Sequence, residues 1–204
     1  MQLSYAEFLT IFKPHKLIKA KDLFDNEEKD CLENIAQYFI NNQKYSQNSI
    51  KGKRISPNIY LDSEIVYIEY HNPYIDLDYF RLKYKTKTSQ IYVYNVGANQ
   101  PEEHFLWNVF FKSFIVHELI HKMQHVYLGT LSQAYLKTSN NKDYYQCDLE
   151  KQAYFYQWLY IQQQNQLAKM KKYLYFRSDE EENFYNEIFY KIEGELSNKN
   201  NNLR

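Results

Sequence analysis

Residues 99–129 read NQPEEHFLWNVFFKSFIVHELIHKMQHVYLG, and this stretch decides the fold. Asn99 and Gln100 are polar capping residues, Pro101 suits a first helical turn, and Glu102 and Glu103 lie beside the positive end of a helix dipole. Gly129 supplies the stop. Between them Phe105-Leu106-Trp107 through Val116 is apolar nearly all round, so the expected helix is buried. Its second half carries His117-Glu118-Leu119-Ile120-His121, the pattern HExxH. On a helix, positions i and i+4 differ by about 40° in azimuth and about 6 Å in height. Two imidazoles so placed can reach one zinc ion at about 2.1 Å each. Glu118 is turned about 100° from His117. It can hold a zinc-activated water and take its proton without ligating the metal. Chance yields HExxH on the order of once in a hundred chains of this His and Glu content. Burying two imidazoles and a carboxylate without partners would cost several kcal/mol.

The third ligand is expected elsewhere. His125 continues the series, but eight helical residues place it about 12 Å from His117, too far for one ion. A glycine can break the helix to bring such a residue back; Gln124 stands in that place, which excludes the metzincin pattern. His125 is read as a surface, substrate-facing or supporting residue. Glu150, in Asp148-Leu149-Glu150-Lys151-Gln152-Ala153-Tyr154, is the better candidate. It starts the next convincing helix after a loop, and Ala153, one turn on, permits close helix packing. Asp148 is the fallback, because two positions differ by about 200° and only one can face the metal.

HExxH followed some thirty residues later by ExxA resembles the gluzincin branch of zincin-fold metallopeptidases. It is similar to the small HExxH…E proteins of bacterial and phage genomes, including the ImmA/IrrE-like metallopeptidases. The likeness covers about residues 114–160; Gln152 stands where those relatives often carry a second acid. It implies an α+β, zincin-like domain, with a small, mostly antiparallel sheet packed on the HExxH helix. The same likeness implies one Zn2+, a peptide or protein substrate, and an edge strand just before the active helix. Ile91, Tyr92, Val93 and Tyr94 occupy that place. An oxyanion donor is also implied, with Tyr144, Tyr145 and Tyr154 near Glu150 in sequence.

The rest of the chain fits one domain. Its 204 residues suffice for a proper core, and four Gly and four Pro argue against a turn-dense all-β chain. Residues 1–54 read as N-terminal helices: one from a Ser4/Glu7 capping box to Phe12, and one with helical periodicity from Leu23 to Lys44. Residues 55–98 read as three or four strands, with Ile65-Val66-Tyr67-Ile68 and Ile91-Tyr92-Val93-Tyr94 the clearest and residues 79–84 weaker. Residues 99–129 form the active-site helix. Residues 143–197 carry C-terminal helices, over about 144–170 and from Ser178 to about Leu196.

Twenty-five basic residues balance twenty-five acidic ones, which weighs against nucleic acid as a partner. Arg81 to Lys87 alternates basic residues on an expected strand, as edges do to resist aggregation. No run approaches the roughly 20 apolar residues of a membrane span, and the first residues lack a secretory pattern. The two cysteines, Cys31 and Cys147, form no CxxC. A cytoplasmic protein is expected, or one packaged in a virion if phage-encoded. The functional expectation is a peptidase, endopeptidase rather than exopeptidase. The rival is a non-catalytic zinc-site structural or interaction protein, such as a phage virion or cargo component.

Overall fold

The structure, a computed structural model, describes residues 17–42, 60–68, 81–85, 87–94, 104–128, 145 and 147–201. The expected helix over 4–12, the capping stretch 99–103, Gly129 and Tyr144 lie outside the described residues. What is described is α+β: a four-stranded sheet and several helices.

The strands are β1 (Leu17–Lys19), β2 (Glu64–Ile68), β3 (Arg81–Lys85) and β4 (Gln90–Tyr94), in the order β1-β2-β4-β3. β1 pairs antiparallel with β2, and β3 antiparallel with β4, while β2 and β4 run parallel. Two antiparallel ladders and one parallel one make the sheet mixed. β1 lies inside the stretch read as helical; three residues are too few to show a period. Ser89, at φ 55°, turns the chain between β3 and β4. Ile65, Ile91 and Tyr84 share one register row and are all buried, so this face of the sheet meets the helices.

The strand order corrects one expectation. Ile91, Tyr92, Val93 and Tyr94 belong to β4, which is paired on both sides and offers no open edge. Among the described strands β1 and β3 are the edges, and the exposed Lys83 guards β3 as the alternating basic pattern suggests.

Helix α1 (Asn26–Asn41) begins later than its apolar periodicity suggests, because Asp25 caps it. Asp25 Oδ1 accepts from Glu28 N, and Glu28 Oε2 accepts from Asp25 N, each at 2.9 Å, which is a capping box. α2 (His104–Leu128) is the HExxH helix. It packs against α3 (Asp148–Gln163) and the edge strand β3. The single helix expected over 144–170 is instead two, α3 and the short α4 (Leu167–Lys171). Asn165 adopts φ 56° there. Its N–H reaches Gln162 O and that of Gln166 reaches Ile161 O, closing α3 in a Schellman motif. Asparagine tolerates that conformation without the Gly or Pro that would announce a break. α5 (Asp179–Asn201) follows, with four acids in its first turn.

One polar cluster is set deep in the core. Lys112 is fully buried on α2, and its Nζ donates to both Glu28 oxygens, at 2.8 and 2.6 Å. The Tyr160 hydroxyl donates to Glu28 Oε1 at 3.0 Å. Glu28 thus caps α1 and ties it to α2 and α3.

Candidate metal centre

Within α2, His117 and His121 lie one turn apart on the side facing α3. Close packing of the two helices depends on Ala153, fully buried one turn beyond Glu150. Glu150 sits in the first turn of α3 and is 1 % exposed, whereas Asp148 is exposed. The carboxylate singled out by spacing is therefore the one brought inside, and the fallback is not.

Two imidazole nitrogens and the two Glu150 oxygens converge. His121 Nε2 lies 3.0 Å from His117 Nε2 and 3.4 Å from Glu150 Oε1. His117 Nε2 lies 3.3 Å from Glu150 Oε2. Ligands about 2.1 Å from one ion at tetrahedral angles would stand about 3.4 Å apart. The separations within this triangle of residues come close to that, with each imidazole nearest a different Glu150 oxygen. Both Glu150 oxygens and His117 Nδ1 are buried without a hydrogen-bond partner among the described residues. A buried carboxylate in that condition costs several kcal/mol unless a cation compensates it. Orphaned oxygens beside two imidazole nitrogens fit a metal ion, and His117, His121 and Glu150 are the group that can hold one.

The electrostatics agree. Burial works to raise the Glu150 pKa, yet the two imidazoles overcome it and hold the carboxyl far below the usual carboxylate range. Burial works to lower the His121 pKa; Glu150 foremost, then Glu118 and Gln124, reverse this and leave it raised.

Glu118 is buried and points to the edge of the sheet. Its Oε2 accepts from the backbone N–H of Tyr84 on β3, at 2.6 Å. Its Oε1 has no hydrogen bond among the described residues. His125 is not a ligand: its Nδ1 lies 3.0 Å from the Tyr84 hydroxyl, and the ring is half-buried against that strand. Lys122 Nζ donates to Ser63 Oγ at 2.8 Å, with its pKa lowered by burial.

The two described tyrosines differ. The Tyr154 ring packs edge-on against His117, centroids 4.5 Å apart, and pairs through its hydroxyl with Tyr185. Tyr145 is turned away, its ring on Phe184 and its hydroxyl beside Glu181. Two participants were not foreseen from sequence. One is the main chain of Tyr84, which carries no side-chain signal. The other is the Gln124 side chain, whose spacing of three from His121 and seven from His117 does put it on their face of the helix.

Compared with protein-family models, curated proteins and solved structures, the chain matches none of them. No helix among the described residues is long and apolar enough to cross a membrane.

Proposed function

We propose that the chain is a zinc-dependent peptidase of zincin-like fold, with one Zn2+ held by His117, His121 and Glu150. The observation that carries this reading is the convergence of two imidazole nitrogens and one carboxylate at 3.0 to 3.4 Å, the two carboxylate oxygens having no hydrogen-bond partner among the described residues. Two imidazoles and one carboxylate, with a fourth position open, is a zinc set used in catalysis. When bound, the ion supplies a Lewis acid that polarises a peptide carbonyl and acidifies a water.

The remaining chemistry belongs to the chain. Glu118 is the general base and later the proton donor to the leaving amine. The Tyr84 N–H fixes one carboxylate oxygen and leaves Oε1 to receive the proton. That N–H points away from β4, on the open side of β3, so the main-chain groups of Leu82 point the same way. An extended peptide adding itself to this edge would lie along the active helix, held by main-chain hydrogen bonds. Tyr154, against His117, is the candidate for stabilising negative charge on the attacked carbonyl.

A second reading is a non-catalytic zinc site in a structural or interaction protein, such as a virion or cargo component. It is favoured by the depth of the ligands and by the commitment of Glu118 Oε2 to Tyr84.

Metal content and cleavage of an unstructured protein, measured for wild type and Glu118→Gln, separate the two. Stoichiometric zinc in both with cleavage only by wild type supports the peptidase. Zinc in both and cleavage by neither supports the second reading. A wild type purified without chelators and free of metal would remove both.

A further inference from the structure

We infer that Gln124 is a positioning residue for the metal centre, one amide that fixes the His121 ring and holds the helical turn carrying Glu150. The inference rests on the metal-site reading above. Gln124 is fully buried. Its Nε2 donates to Leu149 O and to Gln152 Oε1, each at 2.9 Å. Its Oε1 lies 2.8 Å from His121 Nδ1.

These contacts fix a tautomer. A backbone carbonyl can only accept, so the Gln124 nitrogen must face Leu149 and the oxygen must face His121. An amide oxygen cannot donate, so His121 Nδ1 carries the hydrogen. Its Nε2 is then the nitrogen that offers a lone pair, and it points into the triangle with His117 and Glu150. A ligating imidazole whose other nitrogen is tied in this way is held in ring angle and made a better donor.

The same amide acts on the third ligand. Leu149 precedes Glu150, and Gln152 lies two residues beyond it, so both of the amide's hydrogens grip the turn that presents the carboxylate. His117 has no equivalent among the described residues: its Nδ1 is buried without a hydrogen-bond partner there, and its ring packs against Tyr154. Gln124 is thus the hydrogen-bonded anchor of an otherwise packed site.

The test compares wild type, Gln124→Met and Gln124→Glu. Zinc affinity is measured by competition with a chromogenic chelator, ligand geometry by the visible spectrum of the Co2+-loaded protein, and fold by the melting temperature of the chelated protein. Gln124→Met, of similar length but with no amide, is expected to weaken zinc about 10- to 100-fold and shift the Co2+ bands. Gln124→Glu keeps an acceptor for His121 but loses both donors to the Glu150 turn, and is expected to recover only part of that affinity. Wild-type affinity and an unshifted Co2+ spectrum in Gln124→Met, with only the melting temperature lowered, would reduce Gln124 to a structural role and overturn the inference. Nitrogen-15 spectra of the wild-type imidazoles, zinc-loaded, need no variant to fold: a hydrogen on His121 Nδ1 supports the inference, and one on Nε2 overturns it. Failure of wild type to bind either Zn2+ or Co2+ would instead sink the site reading itself, and this inference with it.

Discussion

Zinc added to the chelated protein is expected to raise its melting temperature by an amount that grows with pH. In the metal-free protein His121 has a raised pKa and Glu150 a lowered one. The raised imidazole contributes stability that is full below its ordinary value of 6.5 and is lost as pH climbs through the folded value. The lowered carboxyl contributes stability present above its ordinary 4.5 and lost only in strong acid. The chelated protein therefore gains most from this pair between those two ordinary values, and the gain declines at higher pH. Zinc requires both imidazoles neutral, so it must displace the His121 proton. Below the folded pKa this costs about tenfold in affinity, or about 1.4 kcal/mol, per pH unit. For a chain of 204 residues, each kcal/mol moves the melting temperature by about 2–4 °C. The zinc-induced rise should thus grow by roughly 3–6 °C per pH unit from about pH 5.5 to the folded pKa of His121. Calorimetry of chelated and zinc-saturated protein across that range measures it, and Glu150→Gln should flatten the dependence. A zinc-induced rise that is the same at pH 5.5 and pH 8, or a chelated protein that gains stability through that interval, would refute the reasoning.

Three further outcomes follow from the geometry. Lys112→Met should destabilise the fold by about 3–5 kcal/mol in urea unfolding, because it strands the Glu28 carboxylate in the core, and adding Glu28→Met should restore part of the loss. Tyr154→Phe should lower peptide turnover roughly 10²- to 10³-fold with zinc content unchanged, a role that requires the hydroxyl to leave Tyr185 for the reacting carbonyl; unchanged turnover removes it from that role. Asn165→Ala should cost about 1 kcal/mol, because alanine keeps the β-carbon but lacks the short polar side chain that eases the left-handed region, while Asn165→Gly, with no β-carbon, should be at least as stable as wild type.

The parts of the site legible in the sequence are those governed by local rules. His117, Glu118 and His121 follow from helical geometry within five residues, and the apolar run before them marks the helix as buried. Glu150 was legible because an acid on the face shared with a small residue, Ala153, can approach a neighbouring helix. The α+β composition of the described structure was legible for the same reason. What could not be read is pairing over distance. Nothing local in Ile91 to Tyr94 distinguishes a central strand from an edge, since a strand buried between two partners has the same β-branched and aromatic composition. The swap of β3 and β4 depends on which strand β2 accepts, a choice made far along the chain. Gln124 was visible only as a residue where a glycine would have bent the helix. Its work depends on Leu149 and Gln152 arriving opposite it.

How a carboxylate on a later helix comes to lie 3.3 and 3.4 Å from two imidazoles is answered by the contacts above and below it. Moving down α2 from Gln124 to His121 and His117, then Ser113 and Lys112, the partners climb α3 from Leu149 and Gln152 to Glu150, then Gln157 and Tyr160. Tyr160 reaches Lys112 through Glu28. The two helices are antiparallel and in one register along this line. Leucine and phenylalanine contacts would tolerate a slip of one turn with modest repacking. These polar stations would not: a slip would strand an amide, an imidazole pair, a carboxylate and an ammonium away from water together. Each stranded neutral group costs about 1–3 kcal/mol, and each charged group more. The interface therefore excludes the alternative registers more strongly than it stabilises the correct one. The proposed three-ligand site, split between two helices, needs that kind of discrimination, because a slip of a single turn moves Glu150 by about 5 Å and parts it from both imidazoles.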